Sequence, residues 1–324
     1  LWSDGAPVTS QDVIFTWEYC THPEGGCAQL TGFSDVADVE AVDAQTVKVI
    51  FDVAKPNPYG PFTGMLSPII QKAQFQDCLG PRMPECAEQN FAPIGTGPYV
   101  VDEFRANDVV RYTVNANYRE PDKPAFASVV LKGGGHAASA ARSVLETGEF
   151  DYAWNTQVEP EILAQMAAGG MGEVISAFGP LVERIEVNRT DPDPAFGDAR
   201  STLAHPHPFL TEKAVTRALS LALDRAILVE TGYGATGRVT CNVLVAPDYQ
   251  SSTNNEWCRS QDIAEANRLL DEAGWVLGPD GVRMRDGVRL SVLFQSSTNS
   301  VRQAAQALIK QWWGEIGVET ELRN

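Results

Sequence analysis

Trp2-Ser3-Asp4-Gly5-Ala6-Pro7-Val8-Thr9-Ser10-Gln11-Asp12-Val13 is a turn running into a helix start. Thr9 can cap a helix, and Asp12 three residues later supplies the returning carboxylate of a capping box. Val13, Ile14 and Trp17 follow at helical spacing. Beyond the helix, Val39–Asp43 and Thr46–Phe51 flank a short polar break at residues 43–45 and predict a hairpin. A Pro-rich stretch from Pro56 to Pro93 reads as loops and short helices.

Pro93-Ile94-Gly95-Thr96-Gly97-Pro98-Tyr99 then opens a region of strands that continues through Arg111–Val114 to Val129–Leu131. A helix is expected over 138–147, with strands at Phe150–Trp154 and Leu181–Val187. The loop from Asn188 to Pro208 is a natural boundary. Past Thr211, read as an N-cap, Val215, Leu219, Ala222 and Leu223 form one helix face. A helix over 264–273 stops at Gly274, and Asp286-Gly287 signals a tight hairpin between 282 and 294. An amphipathic helix over 300–315 and a last strand close the chain. Strands alternating with helices point to an α/β fold.

The chain has 324 residues, 42 acidic against 25 basic, and a net charge of −17. A phosphate-backbone partner is therefore excluded, because nucleic-acid affinity comes mainly from Lys and Arg. No run approaches the ~18 apolar residues of a membrane span. The chain opens without Met, signal peptide or lipidated Cys and ends on a strand-like segment, so a piece of a longer protein is expected.

Six cysteines fall into three neighbouring pairs: Cys20/Cys27, Cys78/Cys86 and Cys241/Cys258. Pairing cannot be fixed by sequence, but short spacings in loop-like contexts favour three local disulfides and hence export. Zinc is disfavoured, since no Cys-x-x-Cys or Cys-x-x-His spacing exists. His205-Pro206-His207-Pro208 cannot adopt the helical arrangement of a zinc protease and reads as an exposed loop. Asp191, Asp193 and Asp198 lack the ordered calcium-loop pattern. Gly232-Tyr233-Gly234-Ala235-Thr236-Gly237 follows a helix instead of a strand, so it reads as a helix-ending loop, not a dinucleotide fingerprint. No metal or cofactor is called for, and catalysis has little to stand on.

Five segments in order resemble the family 5 extracellular solute-binding proteins, the oligopeptide/dipeptide/nickel-type receptors of bacterial ABC importers. They are Trp2–Val13; Pro93–Tyr99 with Asn117-Tyr118; Phe209–Arg225; Leu269-Leu270-Asp271-Glu272-Ala273-Gly274-Trp275; and Ile316-Gly317-Val318. The resemblance implies an α/β, periplasmic-binding-protein-like type II (Venus-flytrap) fold with an extra small domain, incomplete at both ends. On that mapping residues 1–92 belong to the small domain, 93–208 to the first lobe and 209–324 to the second.

It further implies a non-catalytic receptor, monomeric and exported. Such a receptor is periplasmic or at the cell surface, lipid-anchored through a leader absent from this chain, and delivers its solute to a membrane permease. Peptide is the first expectation for the ligand and oligosaccharide or another polar solute the second; a ligand sensor for a signalling partner is a further reading. The ligand-facing residues would be Trp154, Asn155 and Gln157, with Phe178 as a weaker addition, and Gln295, Ser297 and Asn299 opposite them. Trp154 can serve as an aromatic platform or pack in the core. Oligopeptide receptors carry an Asp in the 295–299 region that pairs with the peptide amine; Asn299 stands at the matching position, and an amide cannot neutralise an ammonium ion. Trp312 and Trp313, late in an amphipathic helix, are expected to pack in the core.

Overall fold

A computed structural model describes residues 1–25, 27–28, 30–63 and 68–324. The chain divides into two compact units, Leu1–Gly134 and Gly135–Asn324.

In the first unit, helix α1 (Ser10–Thr21) starts as its sequence dictates. Asp12 accepts from the Thr9 backbone N–H at 2.8 Å and from the Thr9 hydroxyl at 3.0 Å. Its other oxygen accepts from the Lys72 N–H at 2.9 Å, so this buried carboxylate is fully used. Thr16 accepts from the Ile70 N–H at 3.0 Å, so α1 is stitched to the 70–72 segment twice. Strands β1 (Val36–Ala41) and β2 (Val47–Phe51) form the expected antiparallel hairpin and pack Val36 and Val39 against Val13 and Phe33. Short helices α2 (Lys72–Phe75) and α3 (Ala87–Phe91) flank the Cys78–Cys86 bridge. Strands β3 (Tyr99–Arg105), β4 (Val109–Val114) and β5 (Ser128–Lys132) make an antiparallel meander in the order β3-β4-β5.

The second unit opens with α4 (Ala137–Leu145) and α5 (Pro160–Ala167), which share a small core of Ala141, Leu145, Val158 and Met166. Helices α6 (Lys213–Leu221), α7 (Arg225–Gly232) and α8 (Ile263–Glu272) follow. α6 begins after Glu212, not Thr211, because the Thr211 hydroxyl turns back to the His207 carbonyl at 3.2 Å. Asp224 caps α7, accepting from the N–H groups of Ala226 and Ile227. Strands β6 (Val276–Leu277), β7 (Arg283–Arg285) and β8 (Val288–Arg289) form a small sheet, with both Asp286 (φ 53°) and Gly287 (φ 79°) in the left-handed region that a type I′ turn demands.

Strand β9 (Ser291–Gln295) pairs in parallel with β10 (Glu319–Arg323), and α9 (Ser300–Glu315) supplies the crossover that a parallel pair requires. The core of this unit gathers Phe209, Val215, Leu219, Leu270, Trp275, Leu290, Trp312, Trp313 and Ile316. Trp312 and Trp313 both pack inside, and the Trp313 indole donates to the Leu219 carbonyl at 3.0 Å. Arg283 is buried beside them and remains fully engaged: it donates to the carbonyls of Ile316 and Trp275 and to the side chains of Asp271 and Asn267.

All three cysteine pairs are bridged as local disulfides, Cys20–Cys27, Cys78–Cys86 and Cys241–Cys258. Two expected strands are not strands. Among the described residues, neither Phe150–Trp154 nor Leu181–Val187 belongs to a ladder, and a strand exists only where a neighbour supplies the hydrogen bonds. In the first, the Phe150 N–H turns instead to the Ser143 carbonyl at the end of α4. The apolar alternation of the second persists without pairing, and Leu181 is 89% exposed.

Candidate functional site

The sequence-distant segments singled out above meet in the second unit. Val158 is buried with α4 and α5, which fixes the end of the 154–158 segment. Just before it the chain turns tightly. Asn155 has φ 53°, a conformation Asn tolerates better than most residues, and the N–H groups of Gln157 and Val158 return to the carbonyls of Asn155 and Thr156. With its tail anchored, the segment projects Tyr152 and Trp154, which are 76% and 75% exposed. Trp154 is thus a surface aromatic, not a core one.

Asn299 caps α9: its side-chain oxygen accepts from the Arg302 N–H at 3.1 Å. Its amide nitrogen donates to the Gln157 carbonyl at 3.3 Å. One side chain therefore starts the helix and ties it to the 154–157 turn, across 142 residues of sequence. Both ends of Asn299 are committed within the chain. The Ser297 hydroxyl accepts from the Asn299 N–H at 3.4 Å and stands 3.5 Å from the Arg302 guanidinium. Gln295 is exposed at the end of β9, in register with Arg323.

Phe178 is exposed too, with the Arg238 guanidinium over its ring at 5.1 Å. Five residues further on, Glu183 receives two hydrogen bonds on one oxygen, from the Tyr233 hydroxyl at 3.0 Å and from Arg302 at 3.1 Å. Burial, followed by the Glu183 carboxylate, pushes the Tyr233 phenol above its ordinary range, so it stays a neutral donor. Segment 178–183 thus lies beside 233–238, joined at both ends, and Arg302 links it to the start of α9. The Gly232–Gly237 run plays the part its context indicated: α7 ends at Gly232 and a single 3₁₀ turn follows.

The sequence reading missed Tyr152, Glu183, Tyr233, Arg238 and Arg302. Arg302 carried one usable signal. A cation in the first turn of a helix is electrostatically unfavourable unless a carboxylate answers it, and α9 has none of its own there. Nothing in the local sequence of Glu183 marks it out.

Taken together, the arrangement offers exposed aromatic faces beside amides, a hydroxyl and guanidinium groups, a set suited to holding a polar solute with apolar portions.

Comparison with known proteins points the same way. The model of the bacterial extracellular solute-binding proteins, family 5 (middle) matches residues 1–324. Protein XP55 of Streptomyces lividans is 29% identical over 311 residues, covering 93% of this chain and 50% of that protein. The oligopeptide-binding protein OppA of Lactococcus lactis subsp. lactis is 24% identical over 352 residues, covering 100% of this chain and 56% of that protein. The chain therefore spans about half the length of the curated relatives it matches. Among solved structures, lactococcal OppA in complex with an endogenous peptide, in its closed conformation, superposes with a TM-score of 0.77 at 19% identity, over 100% of this chain and 62% of that one. An oligopeptide-binding protein of Thermotoga maritima with mannohexaose bound superposes with a TM-score of 0.73 at 20% identity, over 99% and 58%. The fold is accordingly periplasmic-binding-protein-like, type II.

Proposed function

The chain belongs to the bacterial extracellular solute-binding proteins of family 5, and from that membership we propose that the whole protein is the solute-binding subunit of an ABC importer, capturing a peptide-like solute and handing it to a membrane permease. It is a receptor and not an enzyme, exported and held at the cell surface or in the periplasm by a lipidated leader. It works as a monomer. Residues 1–92 form its small extra domain, and 93–208 and 209–324 contribute to its two lobes.

One observation carries the reading of the site: Asn299 bonds the Gln157 carbonyl, so the turn bearing Trp154 and the start of α9 form one surface. On it Trp154 provides the aromatic platform. Asn155, Gln157 and Gln295 are the orienting amides, Ser297 the hydroxyl, and Phe178 a second apolar face. Asn299 acts by positioning the turn, since its own hydrogen-bonding groups are in use. No carboxylate stands at that position to meet a peptide amine, which favours ligands gripped along their backbone and side chains.

A second reading, an oligosaccharide, is favoured by Tyr152 and Trp154, two exposed rings close in sequence of the kind on which pyranose faces stack. Native mass spectrometry of the full-length protein purified from its own host decides between them. A ladder of peptide masses on the holo-receptor supports the proposal, and hexose spacing replaces it with the second reading.

A further inference from the structure

We propose that Glu183 is a specificity-determining residue of this surface: by holding its carboxylate against Arg302 and the Tyr233 hydroxyl it cancels the positive charge at the start of α9, and so disfavours anionic ligand groups there. The proposal rests on the reading of 295–302 as part of the ligand surface.

The argument begins with the helix. The first turn of α9 carries backbone N–H groups with partial positive charge, of which Asn299 caps the Arg302 N–H, and the Arg302 side chain adds a full charge in that same turn. The turn contains no acidic residue. The compensating carboxylate is imported from 119 residues upstream, where Glu183 accepts from Arg302 at 3.1 Å. The same Glu183 oxygen accepts from Tyr233 at 3.0 Å, which fixes the carboxylate's direction. Arg302 is not saturated by this contact. Among the described residues its Nε is buried without a hydrogen-bond partner, and its second terminal nitrogen lies 3.5 Å from the Ser297 hydroxyl. With Glu183 in place, the guanidinium charge is answered and only the partial positive charge of the helix end is left, on a patch that still offers donors. Without that charge, the same donors become an uncompensated cationic end beside Ser297.

Glu183→Gln removes the charge and keeps the size, and its side-chain oxygen can still accept from Tyr233 and Arg302. Glu183→Asp keeps the charge. The pair is partly exposed, so the expected change is about fivefold in affinity.

The test uses full-length receptor stripped of ligand and three pentapeptides that differ only in a central Glu, Gln or Lys. Glu183→Gln should gain about fivefold for the Glu peptide relative to the Gln peptide and lose for the Lys peptide. Glu183→Asp should keep the wild-type order, and Arg302→Gln should shift preference toward the Lys peptide. In parallel, sulfate should move the Arg302 Nε–H resonance in folded Glu183→Gln and leave it unmoved in the wild type. An unchanged charge order in Glu183→Gln overturns the proposal and leaves Glu183 a structural tie. Should none of the peptides bind either protein, the peptide reading fails and the sulfate arm decides alone. A sulfate response confined to Glu183→Gln then supports the role of Glu183, and equal responses overturn it.

Discussion

Trp154 shows how much one residue's role depends on its neighbours. Its side chain projects from a turn whose next anchor, Val158, is buried, so the ring contributes little to packing. Trp154→Ala is expected to change stability by less than about 0.5 kcal/mol, as for most surface substitutions. Ligand affinity of the full-length receptor should nevertheless fall at least about tenfold, the loss of one aromatic contact of roughly 1.5 kcal/mol. Isothermal titration beside urea unfolding checks both; a large stability loss with unchanged affinity would return Trp154 to a packing role.

His207 was expected on an exposed loop and is instead half-buried, with its Nδ1 accepting from the N–H groups of Phe209 at 3.3 Å and Leu210 at 3.1 Å. Burial lowers its pKa, with Asp191 opposing, so the folded protein favours the neutral ring. The stabilisation is complete above the unfolded value of about 6.5 and declines as pH falls below it, because the unfolded chain takes up the proton first. Thermal midpoints measured from pH 7.5 to 5.5 should decline, and His207→Asn, which keeps an acceptor without titrating, should flatten that decline.

At the level of elements, the segments that formed as read are those whose determinants lie within a few residues. The Thr9–Asp12 capping box, the left-handed Asp286-Gly287 turn and the amphipathic α9 are local arrangements that any surrounding fold must accommodate. The two failed strands had strand-like patterns, but pairing is a property of two segments and the pattern describes one. The loop between Cys241 and Cys258 combines both kinds of constraint. Its disulfide spans 17 residues, and within it buried Asn242 donates to the Ser252 carbonyl and Glu256 while accepting from the Ser252 N–H and the Asn255 amide. Replacing both cysteines by Ala should cost about 3 kcal/mol of stability, by the loop-closure argument. Urea unfolding of the double variant checks this, and a cost below about 1 kcal/mol would show that the Asn242 network alone holds the loop.

Across the whole molecule, charge and family were legible in the sequence, and short spacing favoured local disulfides without fixing them: the net charge is −17, and the structure joins each cysteine to its sequence neighbour. Those properties are either sums over composition or consequences of short separations, so no knowledge of packing was needed. The exposure of Trp154, the 142-residue link from Asn299 to Gln157 and the 119-residue link from Glu183 to Arg302 were not legible. Each depends on where the cores of α4, α5 and α9 place distant backbone, and the entropy of closing such long loops is overcome only by the packing of the unit as a whole. Sequence alone thus determined the elements whose caps and turns are local and the kind of protein they build; only the tertiary structure decided which strand-like segments find a partner and which side chains share a surface.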